Sequence, residues 1–274
     1  MSRRLSWPRA VGGVFDLSVG QMLWSRRTIF MALITGVPLV MGAAVRLLES
    51  ANLLGIEVDG VQMTGPVLFG LMIWVEYLRF IVPVLGVFYG TALIADEVDD
   101  KTITYLFTRP IARGAVLLGK YLAYLVCSAL VVLPSVVLLY LLIVPIRGDL
   151  GGSFGPLLID LGLLATGLAV YGAVFALVGA ALKRPLVIGL VFVIGWEPTV
   201  LVVPGYLRRF TVAHYVHGLV PHAMPQTGTL DFLQGLFRDV PSTGSSLLWL
   251  AAILAVSLWL AVWIVEHREY VVEQ

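Results

Sequence analysis

The sequence predicts an all-α integral membrane protein: six transmembrane helices, an N-terminal interfacial helix, a short charged helix on the cytoplasmic side and short re-entrant helices outside. Three observations predict it. Apolar residues make up 59% of the 274 residues and charged ones 13%, with a mean hydropathy of +0.95. Ordinary soluble domains hold roughly 45–50% apolar and about 25% charged residues. Six stretches approach the ~20 apolar residues a helix needs to cross the hydrocarbon core: Thr28–Leu48, Val67–Ala95, Ala115–Ile146, Phe154–Leu182, Pro185–Val203 and Ser246–Val265. Alternating strands of the kind that build an outer-membrane barrel are absent. Soluble enzymes, disordered chains and nucleic-acid-binding domains fall at this step. The lone Cys127 excludes an intrachain disulfide and a cysteine-based metal site.

The elements follow in order, as one domain over residues 1–274. Arg9–Arg27 places Val11, Val14, Phe15, Ser18 and Met22 on one face at helical spacing, with arginines at both ends. That pattern suits a helix lying in the inner interface. The first span is too long for a cleavable signal peptide and reads as a retained anchor. The second, third and fourth spans are long enough to tilt or project past the bilayer. The outer loop 204–245 is broken by Pro204, Pro221, Pro225 and Pro241 into short pieces, predicted as short helices dipping into the outer leaflet.

Basic residues orient the spans. Of the 18 Lys and Arg residues, Arg3, Arg4, Arg9, Arg26, Arg27, Lys101, Arg109, Arg113, Lys120, Lys183, Arg184 and Arg268 fall on one side. Arg46, Arg147, Arg208, Arg209 and Arg238 fall on the other, and Arg79 lies within the second span. Both termini are therefore expected in the cytoplasm.

Several local patterns imitate chemistry. Gly114, Gly119 and Lys120 approach a phosphate-binding loop, but Tyr121 stands where the magnesium-binding hydroxyl belongs and no strand precedes it. Gly151, Ser153 and Gly155 spell a nucleophile elbow without the sheet that makes one work. His214, His217 and His222 have loose metal-ligand spacing but no supporting carboxylate or thiol, so no metal site is expected. On the fourth span, Ala165, Ala169 and Ala173 run beside Gly172, Ala176 and Ala180. Such small-residue stripes let helices approach closely, within a chain in preference to between chains.

Ionisable residues inside spans cost several kcal/mol and point to function. Glu76 and Arg79, three residues apart in the second span, can pair on one face as a structural pair or serve a gate. Counting from Ala95 puts them near the outer interface. Glu197 stands between Trp196 and Pro198, where a pre-proline residue leaves the helical region easily. A break or kink in the fifth helix is expected there, around either a structural carboxylate or one lining a conduit.

The most informative stretch is Ala95–Lys120, with acids leading and bases following between two spans on the inner side. Asp96–Phe107 is predicted as a short helix whose first-turn acids match the helix dipole, stopped by Thr108-Arg109-Pro110. Pinned under the membrane, such a helix is a docking element for a cytoplasmic partner.

Glu97, Thr102, Leu106, Arg109, Pro110, Arg113, Gly119 and Lys120, together with Ser25-Arg26-Arg27, Trp196-Glu197, Pro204-Gly205 and Arg208, resemble the ABC-2 type exporter permeases. Within that family the chain resembles the branch associated with copper-enzyme maturation. The resemblance implies an ATP-driven exporter: a homodimer or a pair of permeases in the bacterial plasma membrane, in contact with lipid and not nucleic acid. It also implies two copies of a separate cytoplasmic ATPase carrying ATP and magnesium, with no cofactor in this chain. It assigns Asp96, Glu97, Thr102, Leu106, Arg109, Pro110 and Arg113 to a coupling helix and its flank, and Glu76, Arg79 and Glu197 to the conduit or its gate. No inner segment between spans reaches the roughly 50 residues a domain needs, which independently puts any ATPase on another chain. A secondary transporter or a membrane-embedded enzyme are the alternatives; neither a pair of broken helices in related halves nor a polar constellation at one depth is visible.

Overall fold

The computed structural model describes residues 7–51, 57–58, 61–62, 64–99, 112–202, 206–220 and 241–268. Helices dominate; a two-residue hairpin, Glu57–Val58 against Val61–Gln62, accompanies them between the first and second spans. Five helices are long and apolar enough to cross a membrane: Arg27–Ser50, Gly65–Ala95, Arg113–Ile143, Phe154–Ala181 and Thr243–His267. The fifth expected span forms a shorter apolar helix, Pro185–Val200, continuing to Val202.

Packing divides the spans into pillars and a shell. The most apolar window of the second span is 72% buried, against 22% for the first and the last. Close approach of the second and fourth spans makes these pillars. A Cβ on Gly90 would stand 2.9 Å from the carbonyl oxygen of Gly172, and one on Gly179 only 2.5 Å from that of Thr91. Buried Ala173, Ala176 and Ala180 confirm that the small-residue stripe of the fourth span packs inside the chain. Across the third span, the Tyr121 and Tyr124 hydroxyls donate to the Ala169 and Leu168 carbonyls at 2.8 and 3.0 Å.

The N-terminal helix, Trp7–Leu23, carries its expected face inward. Gly119 of the third span leaves room only for Val11 and Val14, and Ser18 is buried. The elbow into the first span is held by the Ser25 hydroxyl donating to the Met22 carbonyl at 2.9 Å. Trp24, 93% exposed at this elbow, suits a headgroup-level anchor. At the opposite end of the molecule, Arg147 pairs with Glu49 at 2.7 Å and Arg46 donates to the Leu142 carbonyl at 2.7 Å.

Two expectations about the backbone are corrected. The fifth helix does not break at Glu197, whose φ of −58° and ψ of −49° are helical. A π segment, Val191–Trp196, runs into the α-helix Glu197–Val202, which has Pro198 as its second residue. The second span does the same: the π segment Ile73–Ile81 leads into Val82–Leu85, with Pro83 second. A proline ring collides with the carbonyl four residues back and removes a donor, and the wider i→i+5 turn of a π segment relieves both without ending the helix. The second correction concerns the C-terminal end of the second span. Ala92–Asp99 is one α-helix, with no boundary at Asp96. Asp96 and Glu97 therefore extend the span, and no first-turn dipole effect acts on them. Residues 100–111, with Thr102, Leu106, Arg109 and Pro110, lie outside the described residues.

Candidate functional site

The site is built on the π segment of the second span. Its buried residues come in pairs, Ile73 and Trp74, then Tyr77 and Leu78, then Ile81 and Val82. Between them fall Val75 and Glu76, then Arg79 and Phe80, on the face the chain leaves less covered. A period of four residues follows from the wide π turn, and it places both charges on that face. They do not pair. Arg79 instead carries its guanidinium 5.7 Å from the ring centroid of Trp74, five residues earlier and thus one π turn away. The π geometry breaks the three-residue pairing expected for an α-helix. One carboxylate oxygen of Glu76 is buried and accepts no hydrogen bond among the described residues.

Behind this face sits Glu197, 4% exposed. The Tyr171 hydroxyl lies 2.8 Å from each of its carboxylate oxygens. The Ala213 N–H donates to Oε1 at 3.3 Å. Ala213 belongs to a short helix, Val212–His217, capped by the Thr211 hydroxyl. The segment after the fifth helix thus folds back onto that helix. His217 in the same short helix is buried, 5.6 Å between centroids from Trp74. Burial, with the nearby Arg79 charge as a smaller cause, pushes its imidazole down to about 3, so it is neutral at physiological pH.

Glu197 and Tyr171 therefore join the fifth and fourth helices, while Arg79 of the second lies over Trp74, which packs beside His217. Glu76 lies on the uncovered face. One member of the site, Tyr171, was missed in the sequence, since a tyrosine in an apolar span is usually core. The sequence reading also passed over Asp160, the one acid in the Phe154–Ala181 helix and 0% exposed, which is not part of the site.

The decoy motifs resolve as packing. Gly114 abuts Val262 and Glu266, and Gly119 abuts the N-terminal helix. Around Ser153 the turn is held by the Gly152 N–H donating to Asp149 at 2.8 Å. His214 stacks edge-on with Tyr215 at 5.2 Å, and His222 lies outside the described residues. Among the described residues no group of three metal-ligating side chains occurs.

At the other end of the second span, Arg113 begins the third span and donates from its guanidinium to the Arg268 carbonyl at 3.4 Å. The helix carrying Asp96 and Glu97 and the start of the third span thus border the segment 100–111 from both sides.

A family model described as ABC-2 family transporter protein matches residues 21–265. The match spans most of the chain, and the protein belongs to that family: it is a multi-pass membrane component of a transporter. A search of curated proteins found no match to the chain.

Proposed function

We propose that this chain is the permease of an ATP-driven exporter, working as a dimer, or paired with a second permease, against two copies of a separate cytoplasmic ATPase. One observation carries the conduit assignment. The second span presents Glu76 and Arg79, flanked by exposed Val75 and Phe80, on the face its own chain leaves least covered. Charges at that position cost several kcal/mol in lipid, so the face is expected against water or a second protomer. Glu197 and Tyr171 back this wall and hold the re-entrant helix against it.

The inner segment supports coupling. The second span runs into Asp96 and Glu97, and the third span starts at Arg113, so a push on the residues between reaches both helices. ATP and magnesium belong to the partner, whose closure would bias inward-open against outward-open states. The plasma membrane with both termini inside follows from the distribution of arginines and lysines.

Purification of the full chain from its native membrane tests the reading. The expected result is a co-purified subunit that hydrolyses ATP, with its yield reduced by Glu97→Ala. A chain that purifies without any ATP-hydrolysing partner contradicts it.

A further inference from the structure

The ends of three helices meet at one side chain. Arg268, directly after the last helix Thr243–His267, sends its guanidinium to the carbonyls of Ala180 and Ala181 at 2.8 and 2.7 Å. These are the final carbonyls of the fourth span. The carbonyl of the same Arg268 accepts from Arg113 at 3.4 Å. Beside them, a Cβ on Gly114 would meet Glu266 Oε1 at 2.7 Å and Val262 Cγ1 at 2.8 Å, so the third and last helices touch without a gap.

The fourth span has a second set of attachments. Tyr171, ten residues before Ala181, holds Glu197. A chain of direct contacts therefore runs from the start of the third span through Arg268 to the end of the fourth span. The fourth span then carries it to the carboxylate behind the conduit wall.

We infer that Arg268 is a positioning residue that ties the end of the fourth span to the start of the third at Arg113, so that a displacement delivered to Arg113 by the proposed coupling segment moves Tyr171 and Glu197. The inference rests on the proposed coupling role of that segment. Both bonds leave one guanidinium nitrogen, Nη1, whose two N–H groups serve the adjacent carbonyls, and the arginine stem is long enough to bring it there. A cation at a helix C-terminus also complements the dipole. Spatial continuity alone does not establish coupling; a shared response does.

The test uses the full chain with its ATPase in nanodiscs, in a Cys127→Ser background, with spin labels at Leu122 on the third span and Leu182 after the fourth. Pulsed EPR reads the distance without nucleotide and with magnesium, ATP and vanadate. The tie predicts one narrow distance that is the same in both states, because the two ends move together. Arg268→Ala should retain the ATPase, broaden the distance without nucleotide and split it when ATP and vanadate are added. Arg268→Lys, which keeps the charge on a shorter stem, should show an intermediate width and provides the reading if the alanine variant fails to fold. Unchanged narrow distances in the variants overturn the inference, and so do wild-type labels that separate on nucleotide binding. A wild-type chain that binds no ATPase instead overturns the exporter reading, while the nucleotide-free distance still decides the role of Arg268.

Discussion

The hydroxyl of Tyr171 lies 2.8 Å from each carboxylate oxygen of Glu197, joining the fourth span to the fifth helix inside the protein. A typical side-chain hydrogen bond contributes about 0.5–1.5 kcal/mol net. Tyr171→Phe should therefore lower stability by about that amount. Glu197→Gln, whose amide oxygen still accepts from Tyr171 and Ala213, should cost less than Glu197→Leu, which leaves both donors buried and unpaired. Thermal unfolding of the purified variants orders the three. A leucine variant as stable as the glutamine variant would show that these bonds do not hold the Val212–His217 helix.

Two glycines should respond in opposite directions. A Cβ on Gly179 collides with the Thr91 carbonyl oxygen at 2.5 Å, and rigid backbone cannot give way. Gly179→Ala should destabilise by about 1–3 kcal/mol, the range for overpacked sites. Gly162 has nothing within 4 Å of its Cβ position and sits inside a helix. Gly162→Ala should stabilise by about 0.5–1 kcal/mol through backbone entropy. Denaturation midpoints of the pair check the claim that the second and fourth spans touch here.

The shorter fifth helix makes a topological prediction. Lys183 and Ser242 are both exposed and stand on either side of Pro185–Val202 in sequence. In a Cys127→Ser background, Ser242→Cys should react with an impermeant thiol reagent on intact cells. Lys183→Cys should react only after lysis. Labelling of both from outside would mean that this helix does not cross.

His217 gives a pH dependence. Its folded-state value, about 3, lies below the ordinary value of 6.5. The unfolded chain therefore binds the proton first as pH falls. The stability contribution is fully present above about pH 6.5 and declines below it, by up to about 1.4 kcal/mol per pH unit. Unfolding at pH 7.5 and at pH 5 should show a smaller loss of stability for His217→Phe than for the parent. An equal loss in both would mean that the imidazole is not neutralised by burial.

The sequence made the spans legible because crossing a membrane takes a length of apolar residues that can be counted. The observed helices begin and end within a few residues of those expected. It also marked Glu76, Arg79 and Glu197, since isolated charges stand out in apolar runs. What it did not carry was the turn width. Pre-proline preference argued for a break at Glu197, whereas the π segment at 191–196 absorbs Pro198 and keeps the carboxylate helical. The same geometry separates Glu76 from Arg79. Tyr171 was invisible for a different reason: its role depends on how closely two helices approach, and that is set by glycines and tyrosines far away in sequence.

The central claim is that the second span turns a water-lined face inward, and cysteine accessibility tests it most directly. Val75 and Phe80, 41% and 52% exposed, share that face with Glu76 and Arg79, whereas Val40 of the first span, 71% exposed, should face lipid. In the Cys127→Ser background, Val75→Cys and Phe80→Cys should react with a charged, water-soluble thiol reagent in isolated membranes. Val40→Cys should not, because thiolate does not form in hydrocarbon. Failure of positions 75 and 80 to react under conditions that label an outer-loop control at Gly151 would contradict the conduit.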